Sequence, residues 1–85
     1  MTPKPELFHA IAETPSAHAR ALVVSLQLEP YVRFRNVHYP EVQADLSARG
    51  GSLSQLPAVW DGARLISGEA GVEAFLRALA ASPPP

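Results

Sequence analysis

The sequence predicts an α/β domain: a mixed four-stranded sheet flanked by three helices, in the order β-α-β-α-β-β-α. Three observations lead there. Short apolar runs of strand length alternate with longer segments that proline opens and glycine or proline closes. Two of the apolar runs flank Asp61-Gly62, one of the strongest two-residue hairpin signals. The last segment carries Val72, Phe75, Leu76 and Leu79 at i, i+3, i+4 and i+7, the stripe of a helix packed on one face.

Leu7 to Ile11 is a short, mostly apolar run and reads as a strand buried on both faces. Thr14 then offers an N-cap, with Pro15 at the first helical position. The helix runs on through Ala17, Ala21, Leu22 and Leu26, and Pro30 prevents its continuation. Tyr31 to Val37 reads as the second strand. Its Val32 and Phe34 alternate with Arg33 and Arg35, and two arginines on one face suit a solvated edge. Pro40-Glu41 opens a second helix with a thin apolar stripe, Val42 and Leu46, and Gly50-Gly51 ends it. Ala58-Val59-Trp60 and Ala63-Arg64-Leu65-Ile66 form the hairpin. The last helix starts near Ser67-Gly68-Glu69, with Glu73 and Arg77 at a favourable i, i+4 spacing. A helix joining the first two strands makes them parallel, with a right-handed crossover.

The chain of 85 residues is one domain, with its core over about 6–80; residues 1–5 and 82–85 are proline-rich and read as flexible tails. Apolar residues make up 47% and charged residues 18%, a globular composition. The net charge is −1 and the basic residues are scattered, so neither nucleic acid nor an anionic membrane is an expected partner. Neither a transmembrane span nor the apolar core of a signal peptide is evident, and the expected location is the cytoplasm. There is no cysteine. Structural disulfides, thiolate zinc sites and iron–sulfur ligation by the chain's own sulfur are therefore excluded. His9, His18 and His38 lack ligand spacing, so no metal is expected; His9 reads as a core histidine, and Trp60 and Phe75 as core aromatics.

In this order of elements, Glu13-Thr14-Pro15-Ser16-Ala17 after the first strand, Gln55-Leu56-Pro57-Ala58-Val59, Asp61-Gly62 and Ser67-Gly68-Glu69-Ala70 resemble the glutaredoxins, a family with the thioredoxin fold. The resemblance spans about Glu6 to Leu79. It implies that Pro57 is cis. It also places Thr14 and Ala17 where that family carries the two cysteines of Cys-Pro-X-Cys. A hydroxyl cannot replace a partly ionised thiol in disulfide exchange, so this chain is expected to be redox-inactive. The N-terminal domain of glutathione S-transferases is similar over the same segments.

These resemblances imply glutathione as a possible ligand and no resident cofactor. Leu56, before Pro57, would pair its backbone with the cysteinyl unit, a fragment of strand addition. The N–H groups of Glu69 and Ala70 would face the γ-glutamyl carboxylate. Ile11 stands where glutaredoxins carry a lysine for the glycyl carboxylate. The transferase likeness implies Thr14 or Ser16 as donor to the glutathione sulfur. Three functions follow as expectations: a redox-inactive module binding glutathione or an extended peptide, a transferase-like enzyme, or a protein-interaction domain. The expected assembly is a monomer or a weak homodimer formed through the second helix or the edge strand. Plainer readings also fit: Thr14 as a helix cap, Pro57 as a turn-fixing residue, and Arg33 and Arg35 as a solvated edge.

Overall fold

The computed structural model describes residues 4–83. The tail expectations for residues 1–3 and 84–85 lie outside them. The elements are β1 (Glu6–His9), α1 (Thr14–Ser25), β2 (Arg33–Asn36), α2 (Pro40–Ala48), β3 (Ala58–Trp60), β4 (Leu65–Ser67) and α3 (Glu69–Ala81), with a 3-10 turn over Glu29–Tyr31. The sheet order is β2-β1-β3-β4, with β1 parallel to β2 and the other pairings antiparallel. This is the thioredoxin fold.

Alternation along β1 divides the molecule into two layers of core. Leu7 faces α1 and α3, where it packs with Val23, Leu28, Val59, Val72 and Leu76. Phe8 faces α2 and packs with Val37, Val42, Leu46 and Ala58. All four residues of β1 are buried, as expected of a central strand. The strand is shorter than the apolar run, however. Ile11 falls in the turn after it and is 62% exposed.

The second strand departs from its expected pattern. Tyr31 belongs to the 3-10 turn, and β2 covers only Arg33–Asn36. It is an edge strand, as its arginines suggest. Arg35 is nevertheless buried and Phe34 is 40% exposed. The solvated-edge reading therefore fails for Arg35. A charge can be buried here because it is paired twice: Arg35 donates to Glu6 Oε1, and to Asp45 Oδ2 at 2.6 Å. Arg49 donates to the other Glu6 oxygen at 2.8 Å, and its guanidinium lies 4.9 Å from the Trp60 ring centre. Four charges of balanced sign thus join β1, β2 and α2 on the α2 face.

The helix ends show how the chain turns. At α1 the cap is Glu13, not Thr14, and it makes no side-chain cap bond. The helix stops before Pro30. Gln27 N–H donates to the Val24 carbonyl and Leu28 N–H to the Val23 carbonyl, with Gln27 at φ 58°. This pair of bonds is a Schellman stop, closed by contact of Leu28 with the Val23 layer. The same device closes α2, where Gly50 at φ 86° supplies the left-handed residue. The hairpin turn sits one residue later than expected. Asp61 N–H donates to the Arg64 carbonyl, so Gly62 and Ala63 are its two residues. The Asp61 carboxylate accepts from Ala63 and Arg64 N–H, both at 2.8 Å. Pro5 is not a free tail residue, because its carbonyl accepts from Arg33 N–H at 2.8 Å.

Candidate functional site

Sheet register brings the sequence-predicted site residues to one end of the sheet. Phe8 pairs with Ala58, and Ala58 with Ser67. The segments just beyond these residues are the β1–α1 turn, the Leu56–Pro57 pair and the start of α3. The Leu56–Pro57 bond is cis. Gly68 N–H donates to the Pro57 carbonyl at 2.9 Å, which locks the α3 turn onto the proline segment. Pro57 is fully buried, and Leu56, backbone and side chain together, is 8% exposed. Among the hydrogen bonds of the described residues, none engages the Leu56 N–H or C=O.

Glu69 and Ala70 open α3 behind Gly68, whose φ of 94° is a conformation that side chains resist. No side chain caps this helix. The first N–H groups of α3, those of Glu69 and Ala70 among them, have no partner within the helix. The Glu69 carboxylate is engaged elsewhere. Its Oε2 lies 3.1 Å from His18 Nδ1, bridging α3 to α1. That bridge, with Glu73, Arg77 and Leu22, borders a cleft of about 240 Å³ between the two helices. Nothing in the sequence signals it, since the partners are 51 residues apart.

Thr14 and Ser16, the two hydroxyls at the start of α1, have different fates. Thr14 is exposed at the first turn of α1. Ser16 is wholly buried. Its hydroxyl donates to Glu13 Oε1 at 2.7 Å and accepts from Ala10 N–H at 3.2 Å. It braces the β1–α1 turn from inside. Ala17, half-buried, offers no polar group.

Two further residues shape this turn. Arg20 donates to the Ala10 carbonyl at 3.0 Å and lies 3.1 Å from His9 Nδ1. His9 is 4% exposed and meets the Phe34 ring edge-on. Burial, reinforced by the Arg20 charge, pushes its imidazole down to about 4. It is therefore a neutral core histidine near pH 7. No group of His, Asp and Glu among the described residues is arranged to hold a metal ion.

Beside Leu56 lies a second cleft, of about 380 Å³, between the β1–α1 turn, residues 36–38, Gln43 and Leu53. No helix of the described residues is long and apolar enough to cross a membrane.

The fold is that of a thioredoxin-fold domain, and the end of the sheet that gathers the candidate residues carries backbone and hydroxyl groups without a thiol. Compared with family models, curated proteins and solved structures, the chain has no significant match in any of the three.

Proposed function

We propose that this chain is a redox-inactive, glutaredoxin-like binding module. It holds glutathione, or an extended peptide that is glutathionylated or plain, in the groove beside Thr14, Leu56 and Glu69. The observation that carries the reading is the uncommitted backbone of Leu56, which lies between the starts of two helices. An extended ligand can add there as a short strand, and the first N–H groups of α3 suit a carboxylate. Without cysteine the ligand is held and not exchanged.

A titration of labelled protein with glutathione, followed by amide shifts, tests this. Saturable shifts at Thr14, Leu56, Glu69 and Ala70 are the expected result. A silent spectrum up to tens of millimolar removes glutathione and leaves the peptide or a protein partner. The transferase-like alternative narrows to Thr14, because Ser16 is buried with its hydroxyl committed. Equal conjugation rates for wild type and Thr14→Ala would dispose of it.

A further inference from the structure

The cleft beside Leu56 has an uneven chemistry. Ile11 and Leu53 stand at it 62% and 52% exposed, and Val37 and Leu56 form buried walls. Large aliphatic side chains left in water around one concavity mark a contact surface. The two side-chain amides there are each engaged through one of their two polar groups. Gln43 Nε2 donates to the Val37 carbonyl at 2.7 Å, and Asn36 Oδ1 accepts from His38 N–H at 2.9 Å. No lysine or arginine lines the cleft, and its one carboxylate belongs to Glu13. One Glu13 oxygen takes the Ser16 proton. The nearby Arg20 directs its donors to His9 and to the Ala10 and Ile11 carbonyls. A ligand that ends in a carboxylate at this cleft meets aliphatic walls and, at Glu13, a like charge, with Asn36 Nδ2 and the His38 ring as the side-chain donors at its border. A ligand with an aliphatic side chain and a cation meets complements to both.

The geometry points to an internal peptide segment as the occupant, an inference that rests on the groove reading above. The segment runs extended across Leu56, sets a leucine-like side chain in the cleft and brings a neighbouring lysine or arginine against Glu13. Glutathione, whose glycyl carboxylate would fall at this cleft, is the poorer ligand.

The test uses the labelled full chain and four probes: acetyl-Ala-Ala-Lys-Leu-Ala-Ala-amide, the same peptide with Glu for Lys, the same with Ser for Leu, and glutathione. The first peptide is expected to shift Ile11, Glu13, Leu53 and Leu56 saturably. Glu for Lys weakens binding about fivefold, the scale of one exposed charge pair. That difference shrinks in about 0.5 M salt. Ser for Leu weakens binding by a similar or larger factor. Ile11→Lys, at an exposed position where folding is not at stake, turns the preference toward glutathione. Equal binding of the Lys and Glu peptides overturns the inference and leaves the groove reading standing. So does tighter binding of glutathione than of the Lys-Leu peptide by wild type. Silence toward all four probes overturns both.

Discussion

His9 shows how one side chain can set the acid limit of the domain. Its folded-state value is lowered, to about 4, so the unfolded chain binds the proton first. Stability that is present above the ordinary histidine value of about 6.5 is lost as pH falls from there toward 4. Between pH 7 and pH 5 the loss from this residue is about 2 kcal/mol. Urea unfolding at the two pH values measures it, and His9→Gln should flatten the slope by that amount. Ser16 tests a different physics. Ser16→Ala leaves the Ala10 N–H without its acceptor inside a closed turn, at a cost of about 1–3 kcal/mol. A midpoint unchanged in urea would mean that the turn relaxes to solvate that group. Gln27 points the other way. It holds φ 58° at the end of α1, where Gln27→Gly should stabilise by up to about 1 kcal/mol.

At the scale of elements, α1 and α2 end by the same hydrogen-bond device, yet only one of the two ends is legible in sequence. Gly50-Gly51 announces the stop of α2, because glycine adopts the left-handed conformation freely. Gly51 is constrained for another reason. A Cβ there would lie 2.4 Å from a Leu46 methyl and 2.7 Å from one of Leu65. Since Leu46 is 1% exposed, Gly51→Ala forces repacking and should cost about 1–3 kcal/mol, read as a lower urea midpoint. The stop of α1 carries no glycine. Pro30 marks only the limit, and the contact of Leu28 with the core, invisible locally, decides the actual residue. The hairpin shift has a local origin instead. Asp61-Gly62 correctly marks a turn, but the Asp61 carboxylate holds the Ala63 and Arg64 N–H groups and moves the pivot to Gly62-Ala63. Local signals therefore located every strand and α-helix but not the 3-10 turn at Glu29–Tyr31, and contacts that the spacing does not show set the ends. The site divides in the same way. The backbone elements around Leu56, Pro57 and Glu69 follow from the order of segments. The roles of Ser16, His18 and Arg20 depend on partners brought near by folding.

Over the whole molecule, the two faces of the sheet are held by different forces. The α1 and α3 side is an apolar layer that includes Leu7, Val23, Val59, Val72 and Leu76, all fully buried. The α2 side has a smaller apolar layer, to which the helix itself contributes only Val42 and Leu46 as buried residues. What compensates is the Glu6, Arg35, Asp45 and Arg49 network, which ties that helix to the two strands at its back. Burial disfavours the Arg35 charge, but the Asp45 and Glu6 carboxylates outweigh it and hold the guanidinium more firmly protonated. The Arg35 hydrogen bond in turn holds the Asp45 carboxyl below its usual range. Such a network contributes little beyond what apolar packing would, yet losing one member leaves buried charge without its partner. Glu6→Gln should cost about 3 kcal/mol, a large part of the roughly 4–13 kcal/mol expected for a domain of this length. The loss should also be uneven. Native-state hydrogen exchange in Glu6→Gln is expected to quicken across α2 while the amides of β1, β3 and α3 follow only the global change. Uniform acceleration would show that α2 opens only with the rest of the fold. Selective opening would show that the wall bearing Gln43 and the residues after α2, which border the cleft beside Leu56, can move while the sheet stays intact.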